Sequence, residues 1–108
     1  MAVHAFRMQL KPGTIAEYRR RHDAIWPDLA ALLRAAGISD YRIFVDPQSH
    51  ALFACLTVAE PDRRGGLAHA PVMQRWWDHM ADLMEVDPAG TPPNRPREWP
   101  LEPVFHLP

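Results

Sequence analysis

The run ALFACLTVA, Ala51–Ala59, restricts the fold of this chain more than any other stretch. Leu52, Ala54, Leu56 and Val58 alternate with Phe53 and Cys55, so a strand here is apolar on both faces and needs cover on both sides. It is the longest apolar run, far short of the roughly 18 residues that span a bilayer. It is therefore read as a strand inside a covered sheet. ISDYRIFVD, Ile38–Asp46, precedes it as a second strand, and PQSH between them reads as a tight turn, which makes a hairpin.

The same logic extends outward from the hairpin. Val3 to Leu10 alternates, with His4, Phe6, Met8 and Leu10 on one face, and KPGT ends it. Thr14 and Glu17 have capping-box spacing. Ile15, Tyr18, His22, Ile25, Trp26, Leu29, Leu32, Leu33 and Ala36 then recur at helical intervals until Gly37. Pro27 lies inside that pattern and predicts a kink near Asp23–Trp26 in one continuous helix. EPDRRGG breaks the chain after the hairpin, and Val72, Trp76, Trp77, Met80, Leu83 and Met84 restore a helical period from Pro71 to about Met84. Residues 87–103 hold six of the twelve prolines and read as an extended loop before a last short strand, VFHL.

The order is βαββαβ, an α+β arrangement with a four-stranded antiparallel sheet and two helices on one face. The other sheet face is left bare and apolar, and the simplest cover is a second copy, so a homodimer through sheet faces is expected. With 108 residues the chain is the size of one domain, 1–108. A net charge of −1 gives no electrostatic reason for nucleic acid as a partner, and no stretch suggests a membrane span. Cys55 stands alone, which excludes a disulfide framework or a thiolate cluster, and the six histidines show no HExxH spacing, so no metal is expected. The apolar leader of an exported protein is missing, and the default location is the cytoplasm.

Tyr18, His22 and Trp26 recur every four residues and project from nearly one helix face, toward the sheet. A histidine there is either bonded to a carbonyl for structure or poised for acid–base work near neutrality. In QRWWDHM, the adjacent Trp76 and Trp77 point about 100° apart, which suits two walls of a pocket as well as plain core packing. Indoles take sugars well, because the C–H face of a pyranose packs on the ring and the N–H donates to a hydroxyl. Tyr41 shares a strand face with Ile43 and Val45 and either reaches below His22 or is an ordinary half-buried tyrosine. The basic run Arg19–Arg21 is flanked by Glu17, Asp23 and Asp28 and reads mainly as a solvated face.

EYRRRHDAIWPDL, the Tyr41 strand, QRWW and the terminal VFHLP together resemble the L-rhamnose mutarotase family, over nearly the whole chain. The resemblance implies a ferredoxin-like βαββαβ fold paired as a dimeric α+β barrel. It also implies an isomerase that interconverts sugar anomers without a cofactor. It places the catalytic role on His22, and the chemistry of anomer exchange then suggests His22 as proton donor to the ring oxygen with Tyr18 or a water completing the relay. Sugar binding falls to Tyr18, Tyr41, Trp76 and Trp77, with L-rhamnose or a related deoxy sugar as substrate. Where the family has a tryptophan ahead of the second helix, this chain has Arg64, Gly65 and Gly66, so one pocket wall is expected to differ. Two other readings stay open: a barrel monooxygenase in which the helix histidine ligates haem or acts as base, and a non-catalytic sugar-binding module.

Overall fold

The structure, a computed structural model, describes residues 1–108. Its elements are β1 (Ala2–Gln9), α1 (Ile15–Asp23), α2 (Pro27–Ala35), β2 (Ile38–Val45), β3 (Ala51–Val58), α3 (Pro71–Met80) and β4 (Trp99–Leu101), with short 3₁₀ turns on either side of α3. The sheet order is β2-β3-β1-β4, and every neighbouring pair is antiparallel. β3 is central, as its doubly apolar pattern requires. Leu52, Ala54, Leu56 and Val58 are buried under the helices, whereas Phe53 on the opposite face is 39% exposed.

The inner face of the sheet meets the helices through one core, in which Met8, Leu52 and Ala54 pack with Leu29 of α2 and Met73, Trp76 and Met80 of α3. Leu29 and Leu52 are almost fully buried, and each such side chain stabilises the fold by about 1.5–3 kcal/mol. Gly37 follows α2 with φ +85, where an added Cβ would meet that of Ala59 at 3.1 Å, so both backbone and space select glycine. The turn after β2 closes through Asp46 and His50, whose backbone N–H groups donate to Ala51 and Asp46.

Three expectations are corrected. The continuous kinked helix is two helices: Trp26 takes φ −64 and ψ 130, an extended conformation enforced by the following proline, and Pro27 opens α2 at its first turn. The capping box does not form, because the Thr14 hydroxyl donates to Lys11 and Leu83 carbonyls while Glu17 is taken by Arg20 and Arg21. The last strand is not VFHL. It is Trp99–Leu101, inside the stretch expected to be irregular, and Glu102–Pro108 has no regular structure. Pro100 is tolerated because β4 is an edge strand, where one missing donor leaves no ladder bond unmade.

The outer face is bare within the single chain. One cross-strand row runs Phe44, Phe53, Arg7, Trp99 through all four strands, with the Arg7 guanidinium 4.0 Å above the Trp99 ring. Phe44 is 59% exposed.

Candidate functional site

Between the inner sheet face and the helices lies a cavity of about 720 Å³. Small-molecule sites usually occupy about 300–1,000 Å³. Tyr18, His22, Tyr41, Trp76 and Trp77 all line it, so the structure brings the candidate catalytic and sugar-binding residues together, while Trp26 stands behind Trp76 outside the lining.

α1 supplies the first two. Tyr18 and His22 lie one helical turn apart, and their rings stack with centroids 4.3 Å apart. His22 Nδ1 lies 3.1 Å from the Tyr18 carbonyl oxygen. A carbonyl can only accept, so this bond requires the proton on Nδ1 and leaves the Nε2 lone pair free. Burial holds the His22 pKa below its ordinary value, against the opposing pull of that carbonyl and of the Asp23 charge. The ring is thus neutral at neutral pH. The carbonyl bond of a structural histidine and a free second nitrogen coexist in one residue.

α3 closes the other side. Trp76 meets His22 edge to face at 5.3 Å, and Trp26, held by the break between α1 and α2, meets Trp76 at 5.1 Å. The two ends are tied by Arg21, which donates to the His79 carbonyl at 2.6 Å and to Asp82 at 2.8 Å. Arg21 also holds Glu17, and with Arg20 it pulls the Glu17 carboxyl down to about 2. The basic run is mainly solvated, as expected, with Arg19 and Arg20 exposed, but Arg21 clamps α1 to α3, and exposed Arg19 also borders the cavity.

Tyr41 owes its direction to a bulge. Ser39 pairs with Thr57 and Arg42 with Cys55, so Asp40 and Tyr41 together oppose Leu56. Asp40 absorbs the extra residue at φ 47. Without the bulge, Ile38 and Tyr41 would face opposite sides of the sheet; with it, both face inward. Tyr41 is 38% exposed, and that surface opens into the cavity. Burial raises the pKa of both tyrosines, with a smaller push from the Tyr41 charge on Tyr18 and from the Glu98 charge on Tyr41. Both remain hydrogen-bond donors across the working pH range.

The wall before α3 is formed by the segment that holds Arg64, Gly65 and Gly66. Arg64 and Asp62 line it as an ion pair with nitrogen and oxygen 2.8 Å apart, and Arg64 opens a 3₁₀ turn in place of an early helix start. Glu98 also lines the cavity and was not foreseen. Its only signal in the sequence is its place beside Trp99, which is unreadable while that stretch is taken for loop.

Fold and cavity together define a ferredoxin-like α+β protein with a small-molecule site that combines aromatic walls, phenol donors and one neutral imidazole. Comparison with known proteins narrows this. A family model for L-rhamnose mutarotase matches residues 3–107. The chain is 58% identical over 107 residues to the L-rhamnose mutarotase of Burkholderia orbicola, covering 99% of both. It is 51% identical over 108 residues to that of Jannaschia sp., covering 100% of both. A crystal structure of an L-rhamnose mutarotase from Formosa agariphila superposes with a TM-score of 0.88 at 39% identity, covering 99% of each chain. The chain belongs to the L-rhamnose mutarotase family.

Proposed function

We propose that this protein interconverts the α and β anomers of L-rhamnose, with His22 as the catalytic acid–base group. The observation that carries this is the His22 ring, stacked on Tyr18 beside Trp76 in a sugar-sized cavity, its Nε2 without a partner, in a chain of this family. Anomer exchange removes a proton from the anomeric hydroxyl, opens the ring to an aldehyde, turns it, and closes it with the proton returned. This revises the expectation that His22 first donates to the ring oxygen: a neutral His22 begins by accepting the hydroxyl proton on Nε2 and donates in ring closure. Tyr18 and Tyr41 offer phenol donors to sugar hydroxyls, and Trp76 and Trp77 offer apolar ring surface to the C–H face and the 6-methyl group. The reaction already runs in water. General acid–base assistance of about 10²- to 10⁴-fold therefore makes a useful enzyme.

The same proposal includes a homodimer closed sheet face on sheet face, supported by the exposed Phe44 and Phe53 on the bare outer face. It includes the folding of 1–108 as one domain, supported by one sheet that draws on both chain ends. It also includes a cytoplasmic location, in keeping with the single unpaired Cys55. No helix is long and apolar enough to cross a membrane.

Saturation-transfer NMR of the anomeric protons of L-rhamnose tests the activity. Catalytic amounts of protein are expected to speed exchange more for L-rhamnose than for glucose, and His22→Ala to lower the catalysed rate by at least about 10²-fold. An unchanged rate in His22→Ala removes His22 from the reaction.

A further inference from the structure

Ring opening moves two protons, one off the anomeric hydroxyl O1 and one onto the ring oxygen O5. One imidazole nitrogen serves a single oxygen at a time. The cavity holds a second ionisable side chain free to act. β4 pairs with β1 so that Trp99 sits opposite Arg7 on the outer face, and Glu98, just before β4, lines the cavity wall while keeping an exposed surface. The neighbouring cations are engaged elsewhere: Arg64 is paired with Asp62, and Arg95 stands over the Trp77 ring at 5.3 Å. Glu98 itself makes no hydrogen bond or ion pair. The other carboxylates of the wall are worse placed, since Asp62 is held by Arg64, and Asp23 follows His22 on the same helix and so cannot approach a sugar from a different wall.

The geometry points to Glu98 as the second proton-transfer group of this cavity, serving O5 of the sugar while His22 Nε2 serves O1. This rests on the mutarotase reading above. In ring opening, Nε2 takes the O1 proton, the freed electron pair forms the C1=O1 double bond, the C1–O5 bond breaks with its pair going to O5, and the Glu98 carboxyl gives O5 its proton. The aldehyde rotates about C1–C2. The Glu98 carboxylate then takes the proton back from O5–H, O5 adds to the opposite face of C1, and the imidazolium returns its proton to O1. Atoms and charge balance, and the pair ends as it began.

The environment favours the starting state. Desolvation by the cavity wall raises the Glu98 pKa, against the pull of Arg95 and Arg64, and burial lowers that of His22. The charged and titratable groups that face Glu98 are Tyr41 from β2, Arg64 and Asp62 from the segment before α3, and Arg95 from its own loop. Arg19, Tyr18, His22 and Asp23 of α1 lie across the cavity.

The test is the pH profile of kcat/KM for L-rhamnose anomer exchange, with the uncatalysed rate subtracted at each pH. The wild type is expected to give a bell. Glu98→Gln is expected to lower the maximum by about 10²-fold and to abolish the alkaline limb while leaving the acid limb of His22. Glu98→Asp, which keeps a carboxyl, is expected to retain the bell with its alkaline limb displaced, and this variant decides if the glutamine variant does not fold. A Glu98→Gln rate within threefold of wild type, a lowered rate with both limbs kept, or an unmoved profile in Glu98→Asp overturns the assignment of Glu98 alone. Absence of exchange in the wild type overturns the mutarotase reading and this inference with it.

Discussion

His22 holds two positions at once: Nδ1 is committed to the Tyr18 carbonyl, and Nε2 meets no partner in the chain. That arrangement has a consequence for stability. Folding lowers the His22 pKa below its ordinary 6.5, so in the window just under that value the unfolded chain binds more protons than the folded one. Stability is therefore lost as pH falls through the window. Glu98, whose pKa is raised, works in the opposite sense there, gaining stability as it is protonated. Glu17, Asp62 and Asp82 have lowered values and lose their contribution only in more acid solution. Comparing His22→Gln with wild type isolates the histidine: between about pH 7 and pH 5 the variant is expected to lose less Tm than wild type. Equal losses in the two proteins would mean that burial does not act on this ring.

At the scale of elements, the β2 bulge is what lets one strand serve both the core and the cavity. Asp40 carries it at φ 47, a conformation that costs a β-branched residue on the order of 1–3 kcal/mol and a glycine nothing. Asp40→Val is expected to lower stability by about 1–2 kcal/mol in urea titrations and to weaken exchange by shifting Tyr41, whereas Asp40→Gly keeps both. If valine is tolerated as well as glycine, the bulge does not set the strand. β1, β2 and β3 were legible because alternation of apolar residues records directly which face is buried. The break between α1 and α2 was not, since both helices bury the same face and the apolar spacing runs across it unchanged. What ends α1 is the backbone of Trp26, constrained by the next residue, and periodicity does not register backbone hydrogen bonds. β4 was hidden because proline argues against a strand in general but not on an edge. VFHL drew attention by its apolar pattern, yet Val104 and Phe105 are exposed, Phe105 by 81%. Misplacing that strand also concealed Glu98, whose direction can be read only once Trp99 is paired with Arg7. The residues of α1 and α3 were readable because a turn of helix fixes which side chains share a face.

Over the whole molecule, helices cover one face of the sheet and nothing in the chain covers the other. Phe44 and Phe53 lie directly opposite one another there. Sedimentation at micromolar concentration is expected to give the mass of two chains. Phe44→Lys with Phe53→Lys is expected to give the mass of one, because charges at the middle of an apolar contact are left unpaired. A single-chain mass for the wild type would remove the dimer. The sheet has a further property that concerns time rather than space. β1 is the first strand made and β4 the last, yet they are neighbours. During synthesis the open edge of β1 waits, unpaired, until Leu101 has left the ribosome. Through that interval it is a template for any passing strand. A chain stalled before that point has already made the Tyr18 and His22 half of its cavity but not the wall that carries Glu98. A premature stop there should thus yield a sticky, inactive protein rather than a weak enzyme.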